Sequence, residues 1–155
     1  MTYIGDFSDE EKTRLEDMVF YFQTVKTNDF KSIFDSLKDV LFETNITVDE
    51  DGLTIVNSDK SDTAMITVKL DANKFDKYYC AKKLRIGIMV ISFYKYLRCV
   101  TTDDVLTIYM EKNTTRNVDN ESKIIIRLDN EKKNKMINNI FMLSEVDINE
   151  KIMEL

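Results

Sequence analysis

The chain has 155 residues, 43% hydrophobic and 32% charged, enough apolar material for one buried core and too much for a disordered segment. It contains no histidine and two cysteines, which removes the commonest general base and metal ligand and cannot alone complete a zinc site. A net charge of −6 argues, taken alone, against a nucleic-acid partner, and the longest uncharged apolar run, Ile86 to Ile91, is too short to span a bilayer.

Asp6, Asp9, Glu10 and Glu11 stand where a secretory signal needs an apolar run. Ser8 and Glu11 have capping-box spacing, so residues 8–18 read as a short acidic helix or a flexible extension, with a thin apolar face of Leu15 and Met18 that favours only partial order. Val19–Val25 is aromatic and β-branched and reads as a strand. Asn28 or Asp29 is placed to cap a helix on which Phe30, Ile33, Phe34, Leu37 and Leu41 recur at helical spacing. Lys31, Asp35, Lys38 and Asp39 fall on its other side. Three strands are expected next: Asn45–Val48, Leu53–Val56 after the acidic turn Asp49–Gly52, and Thr63–Leu70. Residues 71–83 read as a polar and aromatic link. Leu84–Met89 is strand-like, and Ser92 can cap a second helix from Phe93 to Cys99 or Val100. Strands at Val105–Met110, Lys123–Leu128 and Met136–Leu143 follow, separated by the polar loop Glu111–Glu121 and the charged turn Asn130–Lys135.

The order strand, helix, three strands thus occurs twice. Asp51-Gly52-Leu53-Thr54-Ile55 and Asp104-Val105-Leu106-Thr107-Ile108 share a D-x-L-T-I pattern. Order and echo together predict an α+β domain of two βαβββ units, with two helices on one side of antiparallel sheets. Proline is absent and glycine occurs three times, so no flexible linker interrupts it.

Chemistry is sparse. There is no glycine-rich phosphate loop and no metal-binding helix signature. The pairs Asp49 with Asp51 and Asp103 with Asp104 sit where turns are expected, and turn preference accounts for them. Cys99 lacks a histidine to activate it and reads as a packed thiol; with Cys80 it suits a reduced, buried thiol in a cytoplasmic or nuclear protein. The expectation is a non-enzyme with no catalytic residue, metal or cofactor.

Charge is unevenly distributed. Residues 1–17 carry a net −4 and residues 75–100 a net +5. Lys95 and Arg98, three apart, share a helix face, as do Lys31 and Lys38, two turns apart. If the repeat sets the helices side by side, these four cations line one surface. From spacing alone, two amphipathic helices with ordinary solvated lysines are the better explanation.

Phe75 to Cys99 reads FDKYYCAKKLRIGIMVISFYKYLRC. Through Phe75, Asp76, Tyr78, Cys80, Leu84, Gly87, Ile88, Ser92, Lys95, Leu97, Arg98 and Cys99 it resembles the first domain of the proliferating cell nuclear antigen family, the eukaryotic-type DNA sliding clamps. Phe30–Val40, Asp51-Gly52-Leu53, Ala64–Leu70, Asp104–Ile108 and Leu143–Ile148 extend the likeness. The resemblance implies two βαβββ units whose helices line a channel for double-stranded DNA. Lys31, Lys38, Lys95 and Arg98 would meet phosphates without reading sequence. It implies a groove for DNA polymerase and other proteins bearing a PIP-type motif, with Thr63 and Met65 on its strand side and Ile152 and Met153 on its connector side. It also implies subunit pairing along Ile140, Phe141, Met142 and Leu143, a clamp loader, and a homo-oligomeric ring trimer.

On this basis residues 1–19 are expected to be an acidic N-terminal extension, 20–146 the clamp domain, and 147–155 the start of an interdomain connector. A family subunit has two such domains, so the chain is expected to be the N-terminal part of a longer clamp or a one-domain relative. Its lysine-, asparagine- and isoleucine-rich composition points to an AT-rich genome, that of a protist or a large DNA virus, and the resemblance implies a nucleus or a viral replication factory. A clamp fold reused as a transcription or checkpoint factor is the alternative, and an α+β interaction module that never meets DNA is the third.

Overall fold

A computed structural model describes residues 3–58, 61, 63–113 and 119–144. In chain order the elements are β1 (Tyr3–Ile4), α1 (Asp9–Leu15), β2 (Met18–Thr24), α2 (Thr27–Leu37), β3 (Glu43–Asp49), β4 (Gly52–Ser58) and β5 (Met65–Asp71). Then come β6 (Lys77–Cys80), β7 (Leu84–Met89), α3 (Val90–Leu97), β8 (Val105–Glu111), β9 (Lys123–Asn130) and β10 (Lys135–Met142). One antiparallel sheet has the order β1-β6-β2-β8-β9-β10 and the other β5-β4-β3-β7.

The α+β expectation holds, and the repeat takes an interlocked form. The units are β2-α2-β3-β4-β5 and β7-α3-β8-β9-β10, but the first strand of each joins the other unit's sheet. β2 pairs with β8, and β7 pairs with β3. The D-x-L-T-I echo is misleading. Leu53 lies in β4, the second strand after its helix, whereas Leu106 lies in β8, the first after its helix. The two copies therefore do not occupy equivalent strands; their likeness reflects a common strand-entry composition, not the duplication.

Period-2 alternation sets the strands. In β9, Ile124, Ile126 and Leu128 are buried while Ile125, Arg127 and Asp129 face outward. The apolar stripe of α2 (Phe30, Phe34 and Leu37) drives into the same core as Phe93 and Leu97 of α3, Ile46 and Val48 of β3, and Leu106 and Ile108 of β8. Leu41 is buried too, although the helix closes at Leu37.

Neither large helix begins at its expected cap. Thr27 opens α2 after Lys26, which makes no side-chain cap, so Asn28 and Asp29 lie within the first turn. Burial of Thr27 and a hydrogen bond from the Lys26 N–H to Thr24 Oγ1 fix that start. Ser92 is the third residue of α3, which runs directly out of β7 because Val90 is fully buried and its N–H bonds Phe42 O at 3.1 Å. Tertiary contact overrides local capping at both points.

The expected link 71–83 conceals β6. Its Tyr78 packs on Phe22 and Phe75 in the main core, while Tyr79 joins Phe7 and Leu15 in a second cluster on the opposite face. Burial on both faces erases the alternation that would have announced a strand. The second cluster belongs to the N-terminal residues. The capping box forms, with Ser8 Oγ accepting from Glu11 N–H at 3.2 Å and Glu11 Oε1 from Ser8 N–H at 3.1 Å. Leu15 is buried, β1 pairs with β6, and Lys77 Nζ meets Glu11 Oε2 at 2.7 Å. Gly5 has φ +93°, and a Cβ there would run into the Asp76 carbonyl oxygen.

Candidate nucleic-acid interface

α2 and α3 lie side by side, joined beneath by the Phe34 and Phe93 rings with centroids 4.8 Å apart. Lys31 and Lys38 on α2 and its C-terminal end are half-buried, and Lys95 and Arg98 on α3 and its end are exposed. The fold thus brings the two expected cation pairs to neighbouring helices.

They differ in what surrounds them. Lys38 Nζ lies 3.2 Å from Asp35 Oδ1 and 3.2 Å from Asp39 Oδ1, and sits 5.5 Å from the centroid of the Tyr94 ring on α3. Hydrogen bonding from Lys38, then from Tyr94, holds the Asp35 carboxyl below the usual range. The bond to Asp35, then that to Asp39, raises Lys38. Desolvation, then the Asp35 bond, pushes the Tyr94 phenol up. Among the described residues, Lys31, Lys95 and Arg98 make no ion pair. Nothing in the sequence announces the approach of Tyr94 to Lys38 across the helices, although the i,i+3 spacing of Asp35 and Lys38 is legible there.

The other expected site residues are scattered. Thr63 lies just ahead of β5, and Met65 opens that edge strand, 64% exposed. Ile152 and Met153 lie outside the described residues. β10 is an edge strand, with Ile140 (58%) and Met142 (64%) open on its outer face. Phe141 departs from the expectation of an interface side chain. It is buried against Phe93 and Tyr96, centroids 5.5 and 5.7 Å away, so it offers backbone alone. Leu143 lies beyond the strand, half-buried, its N–H bonded to Ser122 O. Met136, the second residue of β10, is exposed on the same outer face as Ile140.

The acid pairs are structural. Asp49 Oδ1 accepts the N–H groups of Asp51 and Gly52, closing the β3–β4 turn. Asp104 is fully buried and accepts from Thr101 N–H (2.7 Å), Thr101 Oγ1 (3.0 Å), Asn130 Nδ2 (2.8 Å) and Lys135 Nζ (2.8 Å). Burial opposes its charge, but Lys135, Thr101 and Asn130 outweigh it and hold the carboxyl at about 2. Burial pushes the half-buried Cys80 thiol up to about 11. Cys99 is exposed, not packed as expected, because it lies past the end of α3 on the side away from the core. Among the described residues no group of three or more potential ligands could hold a metal ion, and no helix is long and apolar enough to cross a membrane.

Two interlocked βαβββ units, their sheets backing a pair of adjacent cation-bearing helices, define a clamp-type domain. Residues 20–151 match the family described as proliferating cell nuclear antigen, N-terminal domain, and the chain belongs to that family. It is similar to a "probable DNA polymerase sliding clamp 1" of Paramecium bursaria Chlorella virus 1, 25% identical over 132 residues, which covers 85% of this chain and 48% of that protein. It is also similar to "proliferating cell nuclear antigen 2" of Drosophila melanogaster, 30% identical over 78 residues, covering 50% of this chain and 31% of that protein. The chain therefore spans half or less of the length of these curated relatives.

Proposed function

We propose that the chain serves as the N-terminal domain of a DNA sliding clamp, which encircles duplex DNA and tethers a polymerase to it. The observation that carries this is the pair of adjacent helices presenting Lys31, Lys95 and Arg98 without ion-pair partners among the described residues, on a chain of otherwise acidic charge. Such cations neutralise phosphates whatever the base sequence, and weak contact permits sliding. The action is topological and needs no chemical step. In this proposal Thr63 and Met65, with Ile152 and Met153, line the docking groove for polymerase and other PIP-motif proteins. The open edge of β10, with Ile140 and Met142, joins the next subunit of a ring that a clamp loader places on DNA. The likeness to a viral and to an insect protein supports work in a nucleus or a viral replication factory.

Fluorescence anisotropy on a 30-base-pair duplex, titrated with salt, tests the central point. If Lys95 and Arg98 each neutralise one phosphate, Lys95→Ala with Arg98→Ala flattens the slope of log K against log salt by about 1.8. An unchanged slope removes these helices from DNA contact and favours an interaction module that does not meet DNA.

A further inference from the structure

Given that the helix pair faces DNA, as proposed above, the two helices do not contribute equally. We infer that Asp35 and Asp39 act as an electrostatic brake on that surface: they keep Lys38 from phosphate, so the duplex is held through Lys31, Lys95 and Arg98.

An ammonium group has three donors and no acceptor. Lys38 directs its head to two carboxylates, each at 3.2 Å, and the Tyr94 ring lies 5.5 Å away on a further side. The Tyr94 ring belongs to α3, so the neighbouring helix also flanks the Lys38 ammonium. One cation with two anions leaves the immediate surroundings of the Lys38 head with a charge of −1, while Lys31, one turn back on α2, shares the field of Asp35 without pairing with it. A phosphate reaching Lys38 must approach both carboxylates within the screening length of physiological salt, about 8 Å. On α3 the charge is reversed, because Lys95 and Arg98 have no carboxylate paired with them among the described residues and α3 itself carries no acidic side chain. The topologically equivalent helices thus present unequal fields, and the duplex is drawn toward α3. The brake keeps the number of neutralised phosphates low, and with it the affinity, which suits a protein that must move along DNA.

The test uses the full chain in the same salt titration. Asp35→Asn with Asp39→Asn frees Lys38 with little change of shape. It is expected to steepen the slope by about 0.9 and to tighten binding roughly five- to ten-fold at 0.1 M salt, the effect of one added phosphate contact. Glu10→Gln with Asp17→Asn makes the same change in net charge away from the helix pair and is expected to leave the slope unaltered. Adding Lys38→Ala to the Asn pair should abolish the gain, whereas Lys38→Ala in the native chain should change the slope by less than about 0.3. A native Lys38→Ala variant that loses as much slope as Lys95→Ala overturns the brake, as does an Asn pair that behaves like the distant control. Both outcomes stand apart from failure of DNA contact itself, in which Lys95→Ala and Arg98→Ala also do nothing.

Discussion

Replacing Asp104 by asparagine should expose the main electrostatic tie between the segment after α3 and the β9–β10 turn. The carboxylate is fully buried and receives four donors, one of them Lys135 Nζ at 2.8 Å. An asparagine turns one acceptor into an NH₂ group facing donors on Asn130 or Lys135, so at least one buried partner loses its bond. The carboxyl stands at about 2 against 3.8 for a free aspartate, which at about 1.4 kcal/mol per pH unit contributes about 2.5 kcal/mol to folding at neutral pH. A loss of that size lowers the melting temperature by about 5–10 °C in a chain of this length. Because the folded-state value lies below the unfolded one, the stabilisation is fully present above about pH 5. It fades as the pH falls through 3.8 toward 2, with about half left at pH 3. Urea unfolding of both proteins from pH 7 to pH 3 measures this, and the difference between them should shrink by about 1 kcal/mol. A difference that stays constant across that range refutes the charge-based account and leaves packing alone.

Gly5→Ala should undock the N-terminal segment, since φ +93° and the Asp76 carbonyl exclude a side chain there; hydrogen exchange should quicken at Tyr78 and Tyr79 while β9 stays protected, and unchanged protection in β6 would contradict the docking of β1 on β6. Ile140→Lys with Met142→Lys places two charges on the open face of β10. In a ring-forming protein this should drive the sedimentation mass down to that of a single chain, and an unaltered mass removes β10 from the proposed contact.

What the sequence revealed, it revealed through periodicity. Leu84–Met89 was legible because its apolar run is bounded by charge on one side and a helix on the other, and α2 through its phenylalanine stripe. Structure imposed from outside a segment was not legible. Tyr78 and Tyr79 gave no alternation because each face of β6 has its own cluster, and Val90 starts a helix by burial where Ser92 was the local signal. At the site, spacing was enough to pair Lys31 with Lys38 and Lys95 with Arg98. It was not enough to show that Tyr94 and two aspartates hold one of the four. Phe141 and Ile140, adjacent and both apolar, separate into core and surface only once the strand has a register.

The exchange of first strands also sets an order of events during synthesis. Phe22 of β2 has two strand neighbours: Tyr78 on one side and Ile108 on the other. At the pace of a ribosome, about 5–20 residues per second, Ile108 emerges several seconds after Phe22. β6 becomes available well before β8, so it can cover one flank of β2 while the other waits. Neither half of the chain can finish its own sheet alone, and pairings of such long sequence separation make for slow folding. The cooperative unit is therefore the whole domain, and a nascent chain released before β8 leaves a sticky phenylalanine-rich edge for chaperones to hold.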